Sequence, residues 1–212
     1  SCAETRSSFE KELKSVEKVM EIEIFKGGEE LLRKKKALED APNLVQKYQN
    51  EFSKGTPLVC ACEKGRFEDV RVLVEGHDVE KTGMSLDEMV SKEGKNSDGY
   101  SRTPLQSAAE NEQLEIVQYL VKTCPTVDLI GQTNSKYGFN SLHYAAHYSK
   151  KNVQTLQWLI DNYNGDIKTI INHQNIWWMT PLDYAYWYNK SPIRNDIVSL
   201  LRKYGGKRKN EL

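Results

Sequence analysis

No run of apolar residues in this sequence approaches the roughly 20 needed to span a bilayer, and the opening stretch, "SCAETRSSFEKELKS", lacks the apolar segment of a signal peptide. Net charge is absent too: 30 Lys and Arg stand against 30 Asp and Glu, which removes the simplest argument for nucleic acid or a membrane surface as partner. Cysteine is scarce, with four in 212 residues. Only Cys60 and Cys62 are close together, and no second Cys/His pair stands near them to complete a zinc site. Unpaired thiols of this kind suit a reducing compartment, so an intracellular location, cytoplasm or nucleus, is expected. Catalytic motifs are missing as well. There is no G-x-x-x-x-G-K-S/T loop, no G-x-S-x-G elbow and no G-x-G-x-x-G after a strand. The glycines of "EGKNSDGYS" read as a turn, with Asp98-Gly99 at its tip.

What is present includes one arrangement that invites a metal. In "SLHYAAHYSKKN", His143 and His147 are four residues apart and would share one face of a helix. The H-E-x-x-H pattern of zinc proteases needs a glutamate after the first histidine, and here that place is Tyr144. His77 and His173 lie in other segments. The expectation is therefore no metal, no cofactor and no enzyme.

The dominant feature is repetition. "TPL" begins at Thr56, Thr103 and Thr180, with a degenerate copy at Asn140-Ser141-Leu142. The copies recur about every 40 residues, within the range of helical repeats. Each is followed by small residues, in "TPLVCACEKG", "TPLQSAAENE", "NSLHYAAHYS" and "TPLDYAYWYN". Each then leads to an apolar pattern of helical period: "FEDVRVLVE", "LEIVQYLVK", "VQTLQWLID" and "DIVSLLRKY". A threonine can cap a helix whose first turn accepts proline without losing a bonded amide. The small residues permit close helix approach, and the second pattern supplies a buried stripe.

This combination resembles the ankyrin repeat, whose pattern is G-x-T-P-L-H-x-A-A, a turn, then L-E-I-V-x-x-L-L. The copy from Arg102 to Val121 follows it almost residue for residue. The resemblance implies an all-α solenoid of stacked helix-turn-helix repeats with hairpin or loop fingers, four repeats over residues 53–206. It also implies a structural His143, bonded to the backbone of the adjacent loop. The first unit is expected to carry an insertion at about 77–97, with "SLDEMVSK" as a short helix. The third gains about two residues near Ser149 to Asn152, and Ser191-Pro192 is expected to start the last helix. Residues 1–52 read as a charged helical extension. Phe9, Leu13, Val16, Met20 and Ile24 form a stripe, Ser7 and Glu10 a capping box, Gly27-Gly28 a break, and the segment from Pro42 to Glu51 a cover for the first repeat. Residues 207–212 read as a frayed polar tail. Its closing K-N-E-L is similar to an endoplasmic-reticulum retention signal, an address that requires a signal peptide.

By the same resemblance, partner-binding positions lie four, three and one residues before each motif threonine, and seven and eight after it. In the first two units these are mixed, with Tyr100, Arg102 and Glu110 among them. In the last two they are mostly aromatic: Lys136, Tyr137, Phe139, His147 and Tyr148, then Ile176, Trp177, Met179, Trp187 and Tyr188. Trp178 stands where glycine is usual, and Tyr144 and Tyr184 are expected to border the same surface. Aromatic residues are enriched among binding hot spots. The expected function is a non-catalytic interaction module that binds a protein or peptide through this concave surface. The alternative is a regulatory or structural subunit of a larger assembly, docked through its N-terminal helix.

Overall fold

The computed structural model describes residues 2–212, with side chains from Lys26 onward. The Phe9–Ile24 stripe and the Ser7–Glu10 capping box lie outside the described side chains. The first element, α1 (Cys2–Glu51), is one uninterrupted helix. The expected break at Gly27-Gly28 does not occur, and Pro42 sits inside the helix. Each interior glycine costs about 1 kcal/mol relative to alanine, and proline removes one backbone bond. Packing over the last four turns offsets the penalty of Pro42. Ala37, Ala41 and Tyr48 are buried, Tyr48 Oη donates to Asp69 at 2.9 Å, and Arg66 clamps Glu51 through both guanidinium nitrogens. The cover over the first repeat thus begins about one turn before Pro42. Gly76 permits it, because a Cβ there would lie 2.3 Å from the Ala37 carbonyl oxygen.

Four helix pairs follow: α2 (Pro57–Lys64) with α3 (Phe67–Glu75), then, after the insertion, α6 (Pro104–Glu110) with α7 (Leu114–Thr123), α8 (Ser141–Tyr148) with α9 (Gln154–Asp161), and α11 (Pro181–Trp187) with α12 (Arg194–Lys203). The insertion holds α4 (Val79–Thr82), α5 (Leu86–Ser91) and a two-strand hairpin, β1 (Gly94–Lys95) against β2 (Ser101–Arg102). A short α10 (Ile167–Ile171) precedes the last pair. The first helices stack in line, α2 on α6, α6 on α8 and α8 on α11. Leu58, Leu105, Leu142 and Leu182 point into this stack, with Ala61, Ala108, Ala109, Ala145, Ala146 and Ala185 buried at the contacts. No single pair could hide both of its apolar faces, so neighbours supply each other's core.

Capping follows the motif with one exception. Thr103, Asn140 and Thr180 each accept a backbone N–H three residues on, and Gln106, His143 and Asp183 reach back to complete a capping box. Thr56 does not cap α2. Its Oγ1 accepts instead from Lys95 N at 2.9 Å, which ties the insertion hairpin to the first repeat. The expected helix in "SLDEMVSK" is α5, with Ser85 and Glu88 forming its capping box. Ser191-Pro192 does not start α12, which begins at Arg194. Ser191 Oγ donates to Asn189 Oδ1 and so stays in the preceding turn.

The extra residues after α8 are held from the neighbouring repeat. Glu112, in the left-handed region at φ 58, places Oε1 where the backbone N–H groups of Lys151 and Asn152 donate to it, at 3.0 and 3.1 Å. Nor is the C-terminus frayed. Thr180 Oγ1 donates to the Lys207 carbonyl at 2.7 Å, and Lys209 N donates to Asp183 at 2.9 Å. In the interior repeats the equivalent polar groups bond the following loop: Gln106 Nε2 reaches the carbonyls of Gln132 and Phe139, and His143 Nε2 that of Met179. At the fourth repeat, the tail residues Lys207 and Lys209 take the place of that following loop.

Candidate functional site

Ahead of the first helices of the second, third and fourth repeats stand three finger loops. Each is built on a buried asparagine: Asn96, Asn134 and Asn175. In each, Oδ1 accepts two backbone N–H groups of its own loop: from Asp98 and Tyr100, from Tyr137 and Phe139, and from Trp177 and Met179. Asn134 and Asn175 then donate through Nδ2 to the hydroxyls of Tyr144 and Tyr184, both at 3.0 Å. The repeat motif does not single out these asparagines. They stand seven, six and five residues before the cap, so an alignment at fixed offsets conceals them.

Between the fingers and the first helices runs a groove of about 1030 Å³, open to solvent. Tyr100, Tyr137, Phe139, His147, Tyr148, Trp177, Trp178, Met179 and Tyr188 all line it. Trp187 does not. Its ring meets Tyr186 at 5.0 Å and the Arg208 guanidinium at 5.7 Å, because the docked tail draws it toward the last repeat's own end. Tyr144 and Tyr184 are buried in the groove's floor rather than at its border. Met179 is also buried.

The rings form a connected set. Tyr137 stacks on Trp177 with centroids 5.3 Å apart, and Phe139 meets Tyr144 and Tyr184 edge-on at 5.3 and 5.0 Å. His147 lies 3.9 Å from the Tyr148 ring and 5.4 Å from that of Tyr184. At the second repeat the wall becomes polar. Arg102, buried, lies 4.3 Å over the Tyr144 ring and donates through Nε to Glu110 at 2.8 Å. Burial opposes the Arg102 charge, but the Glu110 carboxylate outweighs it and holds the guanidinium firmly protonated.

His143 is committed to structural hydrogen bonds. His143 is buried, with Nε2 donating to the Met179 carbonyl at 3.1 Å and Nδ1 facing the Asn140 N–H at 3.3 Å. Burial lowers its pKa to about 3. His147 is also pushed down, to about 4, first by burial and then by Arg102. Both are neutral at pH 7. Among the described residues no cluster of three or more His, Cys, Asp or Glu could hold a metal ion, and no helix is long and apolar enough to cross a membrane. The three cysteines whose side chains are described, Cys60, Cys62 and Cys124, are buried free thiols, and burial raises the pKa of each.

Comparison with known proteins agrees with the stacked architecture. The family model described as ankyrin repeats (3 copies) matches residues 84–170, from the insertion through α10. A search of the curated proteins found no match. The matched segment, the recurring capped helix pairs and their in-line stacking together show that this chain carries ankyrin repeats.

Proposed function

We propose that the protein is a non-catalytic interaction module that holds a protein or peptide in the aromatic groove of its third and fourth repeats. Ankyrin repeats generally mediate contacts between proteins. The observation that carries the more specific reading is Trp178. It is 71% exposed and sits at φ 60, where the equivalent residue one repeat earlier is Gly138 at φ 69. A side chain with a Cβ is disfavoured in that region by about 1–2 kcal/mol, and an indole in water gains little from folding. Strain and exposure combined at one residue are features of a binding position rather than of a core. Trp177 and Tyr188 beside it are about half exposed, and contiguous exposed rings mark interaction surfaces.

A photo-crosslinking residue placed at Ile176, on the groove rim, should form protein adducts in cells. Trp177→Ala with Tyr188→Ala should abolish them while the helical circular dichroism persists. Equal adduct formation from Glu115, on the second helix of a repeat, would defeat the assignment.

A second reading rests on α1. Every residue from Lys26 to Lys36 is exposed, Leu31 and Leu32 among them, so this stretch offers apolar surface to another subunit. Deleting residues 1–36 should abolish assembly if docking occurs there, and should leave groove adducts unchanged if it does not.

A further inference from the structure

The rings of the groove recur in register. Tyr144 and Tyr148 stand four and eight residues after the cap of α8, and Tyr184 and Tyr188 stand four and eight after the cap of α11. Within each pair the rings are nearly parallel, at 18° and 27°. The result is two tyrosine ridges on adjacent packed helices, whose axes lie roughly 8–10 Å apart. A polyproline II helix rises about 3.1 Å per residue with three residues per turn, or roughly 9 Å per turn. Successive turns of such a segment would therefore meet Tyr148 and then Tyr188, the accessible ring of each pair.

Hydrogen-bonding capacity points the same way. Among the described residues, the indole N–H groups of Trp177 and Trp178 and the ring nitrogens of His147 make no hydrogen bond, although all three residues line the groove. Polyproline II has no internal hydrogen bonds and presents its carbonyls outward. An α-helical partner uses its own carbonyls internally and would leave these donors unpaired. Charge sets a direction. At the second-repeat end stands Asp98, exposed, with Glu110, whose charge Arg102 already balances. At the fourth-repeat end stands Lys209.

From this geometry, and resting on the reading of the groove as a peptide-binding surface, we infer that its ligand is a proline-rich segment in the polyproline II conformation. An arginine or lysine of that segment lies at the end nearest Asp98. Prolines pack on the accessible rings of Tyr148, Tyr188 and Trp177, and the preformed helix loses little entropy on binding.

A random peptide library displayed on phage and selected on the full chain tests this. Enriched sequences should carry two prolines three residues apart with a basic residue to one side. Replacing both prolines by alanine should weaken a selected peptide by about tenfold or more, as should Trp177→Ala in the protein. Asp98→Asn should remove the preference for the basic flank. Groove-dependent binders without prolines would overturn this inference and leave the peptide-binding reading standing. Binders indifferent to Trp177 and Tyr188, or no binders at all, would overturn both.

Discussion

Trp178 allows the backbone and the side chain of one proposed binding residue to be tested separately. Two substitutions remove the same ring. Trp178→Ala keeps a Cβ at φ 60, whereas Trp178→Gly removes it. Because the ring is 71% exposed, whatever little burial it loses is common to both variants, and their difference isolates the backbone. The left-handed region disfavours an L-residue by about 1–2 kcal/mol. Glycine returns about 0.4–1 kcal/mol of that through its greater freedom in the unfolded chain. The glycine variant should therefore be the more stable of the two by about 1 kcal/mol, the reverse of the order in a helix interior. Urea unfolding followed by circular dichroism at the helical band resolves such a difference, which corresponds to about 2–4 °C in Tm for a chain of this size. Adduct formation through the groove should fall equally in both variants. An alanine variant at least as stable as the glycine one would show that Trp178 is not held against its backbone preference, and the argument for a strained binding position would fail.

The buried imidazole of His143 makes stability depend on pH in a defined direction. Its folded pKa, about 3, lies below the ordinary value near 6.5, so the unfolded chain binds the proton first. The contribution is fully present above pH 6.5 and is lost progressively as pH falls toward 3, amounting to about 2 kcal/mol by pH 5. His143→Gln, whose amide can reach the Met179 carbonyl without titrating, should unfold in urea with a visibly flatter pH dependence; parallel profiles would remove His143 as the cause. Truncation after Gly206 should expose the ends of the last repeat. It removes the Thr180–Lys207, Asp183–Lys209 and Asn172–Lys207 bonds, at about 1 kcal/mol each. Hydrogen exchange should show protection lost in α11 and α12, and unchanged protection would mean that the tail caps nothing.

Much of this architecture is legible in the amino-acid order. "TPL" with its trailing small residues reports a capped helix start and a close helix contact, and the 3.6-residue apolar pattern reports the second helix. Both are local physics, so the four pairs and α5 are readable without coordinates. The positions of the aromatic residues are equally a property of the repeat register. Long-range competition decided the rest. Gly27, Gly28 and Pro42 are local breakers, yet α1 continues through them, and the burial of Ala37, Ala41 and Tyr48 against the first repeat offsets the penalty of Pro42 within that face. The polar tail reads as unstructured because its partners, Thr180, Asp183 and Asn172, lie some 26 to 35 residues earlier. Trp187 and Tyr188 are neighbours in sequence, but only the tertiary structure sends one toward Arg208 and the other into the groove. Sequence alone thus determined which residues repeat, because repeat identity is written in local spacing. Which of those rings face a common space was settled only by stacking, since side chains one repeat apart meet through the packing of whole helices.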